Sequence, residues 1–141
     1  TRTGITYALT SKPASKSFDI RIFATMHRAN SFINERALDA PVSAIEYLVN
    51  HEEKHFDISE IFAREAVRAL RTGRFTRNHA KEIGILMRRI FAQSEAMQAL
   101  YDKETSNGSN ALAQQEWNVK IAERLKSLGA YKNKSLEKRF Q

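Results

Sequence analysis

The chain has no cysteine, which excludes disulfides and thiolate metal sites. Any transition metal must be held by His, Asp or Glu, and the histidines are His27, His51, His55 and His79. Long apolar runs are missing as well. Nothing approaches the roughly 18 residues that would span a membrane. No charged-then-apolar leader opens the chain at Thr1, so the residues do not name a compartment. There is no internal repeat and no low-complexity tract. Negative charge is scarce, with 16 Asp plus Glu against 23 Lys plus Arg. The net charge of +7 suits an anionic partner such as nucleic acid, an acidic wall polymer or a lipid headgroup surface, without choosing among them.

With 141 residues and 42% apolar content, the chain has the size of one domain, 1–141, around one core. Strands are predicted over about 4–26: Ile5, Tyr7 and Leu9 alternate with Thr6 and Ala8, and Phe18, Ile20, Ile22 and Ala24 alternate with Asp19 and Arg21. Between them SKPASKS, centred on Pro13, forms a turn, which gives a two-stranded antiparallel ribbon that must pack on helices. After Asp39 the period becomes helical. Pro41 suits a first helical position, and Ser43 precedes Glu46 at capping-box spacing, so a helix is predicted over 42–71. A second helix is predicted over 77–104, with Ile83, Met87, Ile90, Phe91, Ser94, Met97 and Tyr101 on one stripe. SNGSN at 106–110 breaks it and supplies Asn110 as N-cap for a third helix over 110–128, whose apolar row is Trp117, Ile121, Leu125 and Leu128. The basic tail 131–141, YKNKSLEKRFQ, reads as frayed. The predicted fold class is α+β.

Within the first helix, HEEKHFD at 51–57 contains His51-Glu52-x-x-His55. Residues four apart share a helix face, so both imidazoles can reach one tetrahedral ion at about 2.0 to 2.1 Å. Glu52, one residue round, is placed to take a proton from a water on that ion, while the ion polarises a carbonyl under attack. With 4 His and 12 Glu in 141 positions, chance alone produces this pattern in roughly one such chain in a hundred. Context therefore matters. Placed at about 100° per residue with Glu52 at zero, Ile45, Leu48, Val49, Phe56, Ala63, Ala66, Val67 and Leu70 fall within about 60° of it. His51 and His55 flank this face, and Glu53, Asp57, Glu60, Arg64, Arg68 and Arg71 gather on the solvated side. A carboxylate in an apolar stripe is costly unless paired or bound, which a metal site explains. The alternative is a pair of satisfied core-edge histidines, with Glu52 bonded to an inward arginine such as Arg36.

HEEKHFDISEIFARE, preceded by FDIRIFATM and Ser31-Phe32 and followed by YDKETSNG and QQEWNVKI, resembles a bacterial family. That family is catalogued as domain of unknown function 922 and described as a predicted secreted zinc-dependent protease of HExxH, zincin-like type. The likeness runs from about residue 17 to 121. It implies a Zn2+ cofactor, His51 and His55 as ligands, Glu52 as general base, and a secreted, periplasmic or cell-envelope location. Tyr101, Asp102, Thr105 and Gly108 fall in its second motif, where Asn107 stands in place of the histidine of many members. The third ligand is less determined. The short metzincin spacing gives Ile58 and Ile61, which leaves a carboxylate on the next helix. Helix geometry slightly prefers Glu104 and the resemblance implies Asp102, so the expected set is His51, His55 and Asp102, with Glu104 as alternate. Tyr101 is a candidate oxyanion donor, although an inward tyrosine at helical spacing also reads as core. His27 and His79 read as ordinary polar residues and Trp117 as core.

In metalloproteases of this general plan an edge strand pairs with extended substrate, which makes Phe23 and Thr25, together with Asn107, the expected substrate contacts. The resulting expectation is a zinc metallopeptidase acting on a peptide or protein, on a zincin-like fold. The competing expectation is a basic binding module for nucleic acid or envelope polymer, using Arg64, Arg68, Arg71, Arg74 and Arg77. Interleaved Glu60 and Glu65 and the lack of base-stacking aromatics disfavour nucleic acid. A third possibility is a scaffold that holds metal for structure alone.

Overall fold

The structure is a computed structural model that describes residues 2–27 and 42–141. Strand β1 (Arg2–Lys12) and strand β2 (Ser17–His27) form the expected antiparallel ribbon, longer at both ends than the alternation alone indicated. A 3-10 turn at Pro13–Ser15 joins them, closed by Lys16 in the left-handed region at φ 49°. Helices α1 (Val42–Thr72), α2 (His79–Glu104) and α3 (Ala111–Ser127) follow close to the expected bounds. Asn110 caps α3 as its side chain predicts, the Oδ1 accepting from Ala113 N at 3.1 Å. Pro41 lies outside the described residues.

The basic tail is not frayed. Residues Ser135–Arg139 form a third strand, β3, antiparallel to β2 over Ser17–Arg21, so the sheet order is β1-β2-β3 and the fold is α+β with a three-stranded sheet. The tail holds because Leu136 and Phe140 pack on the core. Lys12 bridges Glu137 at 2.7 Å, and Phe140 N–H donates to Lys16 O and Gln141 N–H to Phe75 O. His79 is also not an ordinary surface residue: it is buried, with its ring stacked between Phe18 at 5.0 Å and Phe140 at 4.5 Å.

Helix α1 packs against the sheet and against both α2 and α3, and α2 also touches β1. A helix covered on two sides buries more than one stripe, so Ile58, Ile61 and Phe62 join Ala63, Ala66, Val67 and Leu70 in the core. The inward face is consequently rolled toward the histidines: His51 and His55 are buried, Glu52 is half-buried and Val49 is exposed. On α2 the expected stripe holds except at Phe91, which is exposed, and it gains the polar Gln98.

Candidate metal centre

Two glutamines fix the two imidazoles of α1. The Gln98 amide nitrogen donates to His55 O at 2.8 Å, to Ser59 Oγ at 3.2 Å and to Thr3 Oγ1 at 3.1 Å. A backbone carbonyl only accepts, so this assigns the amide, and Gln98 Oε1 faces His55 Nδ1 at 2.6 Å. The same logic runs through a longer chain at His51. Tyr101 O–H donates to His51 O at 2.9 Å and hence accepts from Gln114 Nε2 at 2.7 Å, which turns Gln114 Oε1 onto His51 Nδ1 at 2.8 Å. Both Nδ1 atoms therefore carry hydrogen, and in the neutral imidazole both Nε2 atoms present lone pairs.

Those lone pairs converge on one oxygen. Asp102 Oδ1 lies 2.8 Å from His55 Nε2 and 3.1 Å from His51 Nε2. Three acceptor atoms meet without a donor among them unless a cation, a proton or a metal ion, lies between. Ligand atoms on a tetrahedral ion at roughly 2.0 to 2.2 Å stand about 3.3 to 3.6 Å apart, so Asp102 Oδ1 would have to draw back by about half an ångström from His55 Nε2, and by less from His51 Nε2, to admit an ion. The imidazoles are buried and the Asp102 side chain is 40% exposed, which leaves the carboxylate side of the site open to solvent. Glu52, half-buried, offers an oxygen within 4.8 Å of the ligand atoms of both histidines. Arg36, the alternative partner, lies outside the described residues.

Glu104, the alternate ligand, is turned elsewhere, its Oε1 accepting from Trp117 Nε1 at 3.0 Å. The metzincin positions Ile58 and Ile61 are wholly buried in the apolar core. Tyr101 requires a correction. It is fully buried, stacked on His51 at 4.6 Å, and its single proton is given to His51 O, so it does not face a substrate. Burial also pushes its phenol well above the usual range, so the proton stays. Tyr101 positions His51 and Gln114.

The turn after α2 is shaped around His51 as well. Gly108, at φ 93°, lies so close that an added Cβ would stand 3.0 Å from His51 Cγ. Asn107 N–H donates to Asp102 O at 2.8 Å, while its side chain is exposed. Sequence reasoning passed over Gln98 and Gln114. The available signal was a long polar side chain inside an otherwise apolar row, beside Ser94 and Tyr101 for one and Trp117 and Ile121 for the other.

The expected substrate residues Phe23 and Thr25 lie on β2. Ile22 N–H donates toward β3, to Lys134 O, and Lys16 O accepts on the same side, so even-numbered residues of β2 direct their backbone groups there. Phe23 and Thr25 point theirs toward β1, opposite Thr6 and Gly4. Beyond Lys134, among the described residues, nothing pairs with this side of β2, and the backbone groups directed to it belong to Ala24 and Met26. Phe56, one residue past His55, borders both Ala24 and Met26.

Residues 16–109 match the family model described as "Bacterial protein of unknown function (DUF922)". No curated protein and no solved structure matches the chain.

Proposed function

Because the chain belongs to this bacterial family of unknown function (DUF922), its chemistry has to be read from the site, and we propose that it is a zinc-dependent metallopeptidase on a zincin-like plan. The observation that carries this reading is Asp102 Oδ1 placed against both His Nε2 atoms, with both Nδ1 atoms committed to amides. Two neutral imidazoles and one carboxylate, open on one side and free of thiolates, suit Zn2+. Zinc held by His51, His55 and Asp102 supplies a Lewis acid that polarises a peptide carbonyl and makes water more acidic. Glu52, beside both imidazoles, takes the proton of the attacking water and returns it to the leaving amine. Gln98 and Gln114 hold the imidazoles in the ligating tautomer. The side of β2 at Ala24 and Met26 is suited to align an extended peptide through main-chain bonds. The resemblance extends the reading to a secreted or envelope-located enzyme.

The basic-module reading keeps Arg68, Arg71, Arg74 and Arg77 exposed, but part of its charge is already engaged. Arg64 bonds Glu60 and Leu125 O, Arg68 bonds Glu65, and Arg71 donates to Ala130 O and lies over Tyr131. These guanidiniums hold α1 to its neighbours or to other side chains; Arg74 and Arg77 are exposed. The deciding experiment is elemental analysis of the purified protein beside His51→Ala, His55→Ala and Asp102→Ala, followed by peptide hydrolysis with Glu52→Gln as control. About one zinc per chain, reduced in all three ligand variants, with hydrolysis lost by about 10²- to 10⁴-fold in Glu52→Gln at unchanged zinc content, is the expected result. Absence of zinc binding in the wild type overturns the reading. Zinc that supports stability and no hydrolysis marks a structural site instead.

A further inference from the structure

We propose that the open side of β2 selects peptides bearing acidic side chains on their C-terminal flank. This rests on the peptidase reading for its substrate class and deepens it. Where β3 leaves β2, a cleft of about 370 Å³ opens between Arg21, Phe23, Phe56, Glu60, Lys132 and Lys134. Its one carboxylate among the described lining residues is occupied, since Glu60 accepts from Lys134 Nζ at 2.6 Å and from Arg64 Nε at 3.4 Å. That leaves the exposed Arg21, lying over the Phe23 ring at 5.0 Å, and the exposed Lys132 to set the sign of the cleft. At the other end of the same strand edge a second cleft of about 410 Å³ is lined by Met26, Glu53, Phe56 and Asp57, with Asp57 bonded to Lys54 at 3.0 Å. Among the described residues the edge thus runs from a basic end near Arg21 to an acidic end at Glu53, next to Glu52 on α1.

Direction follows from the sheet. β3 runs antiparallel to β2, so a peptide continuing its row beside Ala24 and Met26 has its C-terminal flank at Arg21 and Lys132. A Glu or Asp side chain there meets two cations, whereas at the opposite flank it meets Glu53. A Lys or Arg in the basic cleft is repelled by the same groups.

The test uses the full chain carrying Glu52→Gln, so binding is read without turnover. Capped, fluorescent peptides of about ten residues carry a Glu pair at the C-terminal flank, a Glu pair at the N-terminal flank, or Gln in both places. At about 150 mM salt, anisotropy should show the first bound about tenfold tighter than the other two. The double variant Arg21→Glu/Lys132→Glu should remove that preference. Lys81→Glu/Lys126→Glu, an equal charge change at exposed residues elsewhere, should retain it. The amides of Ala24 and Met26 should shift first when the peptide is titrated into ¹⁵N-labelled protein. Equal affinity for Glu and Gln peptides, or equal loss in both double variants, overturns the inference. A protein that binds zinc and cleaves peptides without this preference refutes only the selectivity. One that shows the preference without binding zinc refutes only the metallopeptidase reading.

Discussion

At His55, the choice of which ring nitrogen faces the site is made by a residue 43 positions away, Gln98, whose own orientation is fixed by the backbone carbonyl of His55. Removing that amide leaves His55 Nδ1 without its acceptor, while the backbone carbonyl keeps its helical donor, and so frees the tautomer. Gln98→Leu and Gln114→Leu should each weaken zinc binding by about 10- to 100-fold, measured by competition with a chromophoric chelator. Both glutamines are buried behind the imidazoles, so the fraction of activity remaining at saturating zinc should greatly exceed that of Glu52→Gln. Tyr101→Phe removes the donor to His51 O and an acceptor of Gln114 in a fully buried place, and should cost about 1 to 3 kcal/mol in chemical denaturation. A substrate-facing oxyanion role would instead appear as a loss of kcat at unchanged stability. Gly108→Ala places a Cβ 3.0 Å from His51 Cγ in a left-handed backbone, so it should lower both stability and zinc affinity together.

Helix α1 was legible as an element because its period, its motif and its breaker at Thr72-Gly73 agree. Its roll was not, because a helical wheel assumes one buried side and α1 packs against the sheet and against two helices. Strand β3 was not legible for a different reason. Within LEKRF only Leu136 and Phe140 are apolar, and the contacts that order them come from Phe18, His79 and Lys12, far away in sequence. Phe140→Ala should therefore cost about 1 to 3 kcal/mol in denaturant unfolding, through lost burial and the stack on His79. Zinc stoichiometry should be unchanged, since β3 lies on the part of β2 away from Met26.

For the molecule as a whole, the proposed ligands come from α1 and α2 and the amides that orient them from α2 and α3, so metal bound there would be tied to folding. Zinc at a hundredfold excess over its Kd should add about 2.7 kcal/mol of stability, seen as a rise in Tm by calorimetry. The rise should vanish in His51→Ala and be unaffected by Glu52→Gln. The net charge of +7 acts at this scale too. Arg64, Arg68 and Arg71 make internal bonds, and the proposed acidic-peptide preference draws instead on Arg21 and Lys132.

The sequence by itself determined that any metal would be held without thiolates, that two imidazoles share one helix face with a carboxylate beside them, and that strands precede three helices. Those properties depend on composition and on periodicities within one element, which local geometry dictates. Only the tertiary structure set Asp102 against the histidines and Glu104 against Trp117, turned Nε2 toward Asp102 at both histidines, gave the Tyr101 proton to His51 O, and made a strand of the tail. Each of those outcomes rests on contacts across tens of residues, such as the 47 between His55 and Asp102 and the 63 between His51 and Gln114, which no local period encodes.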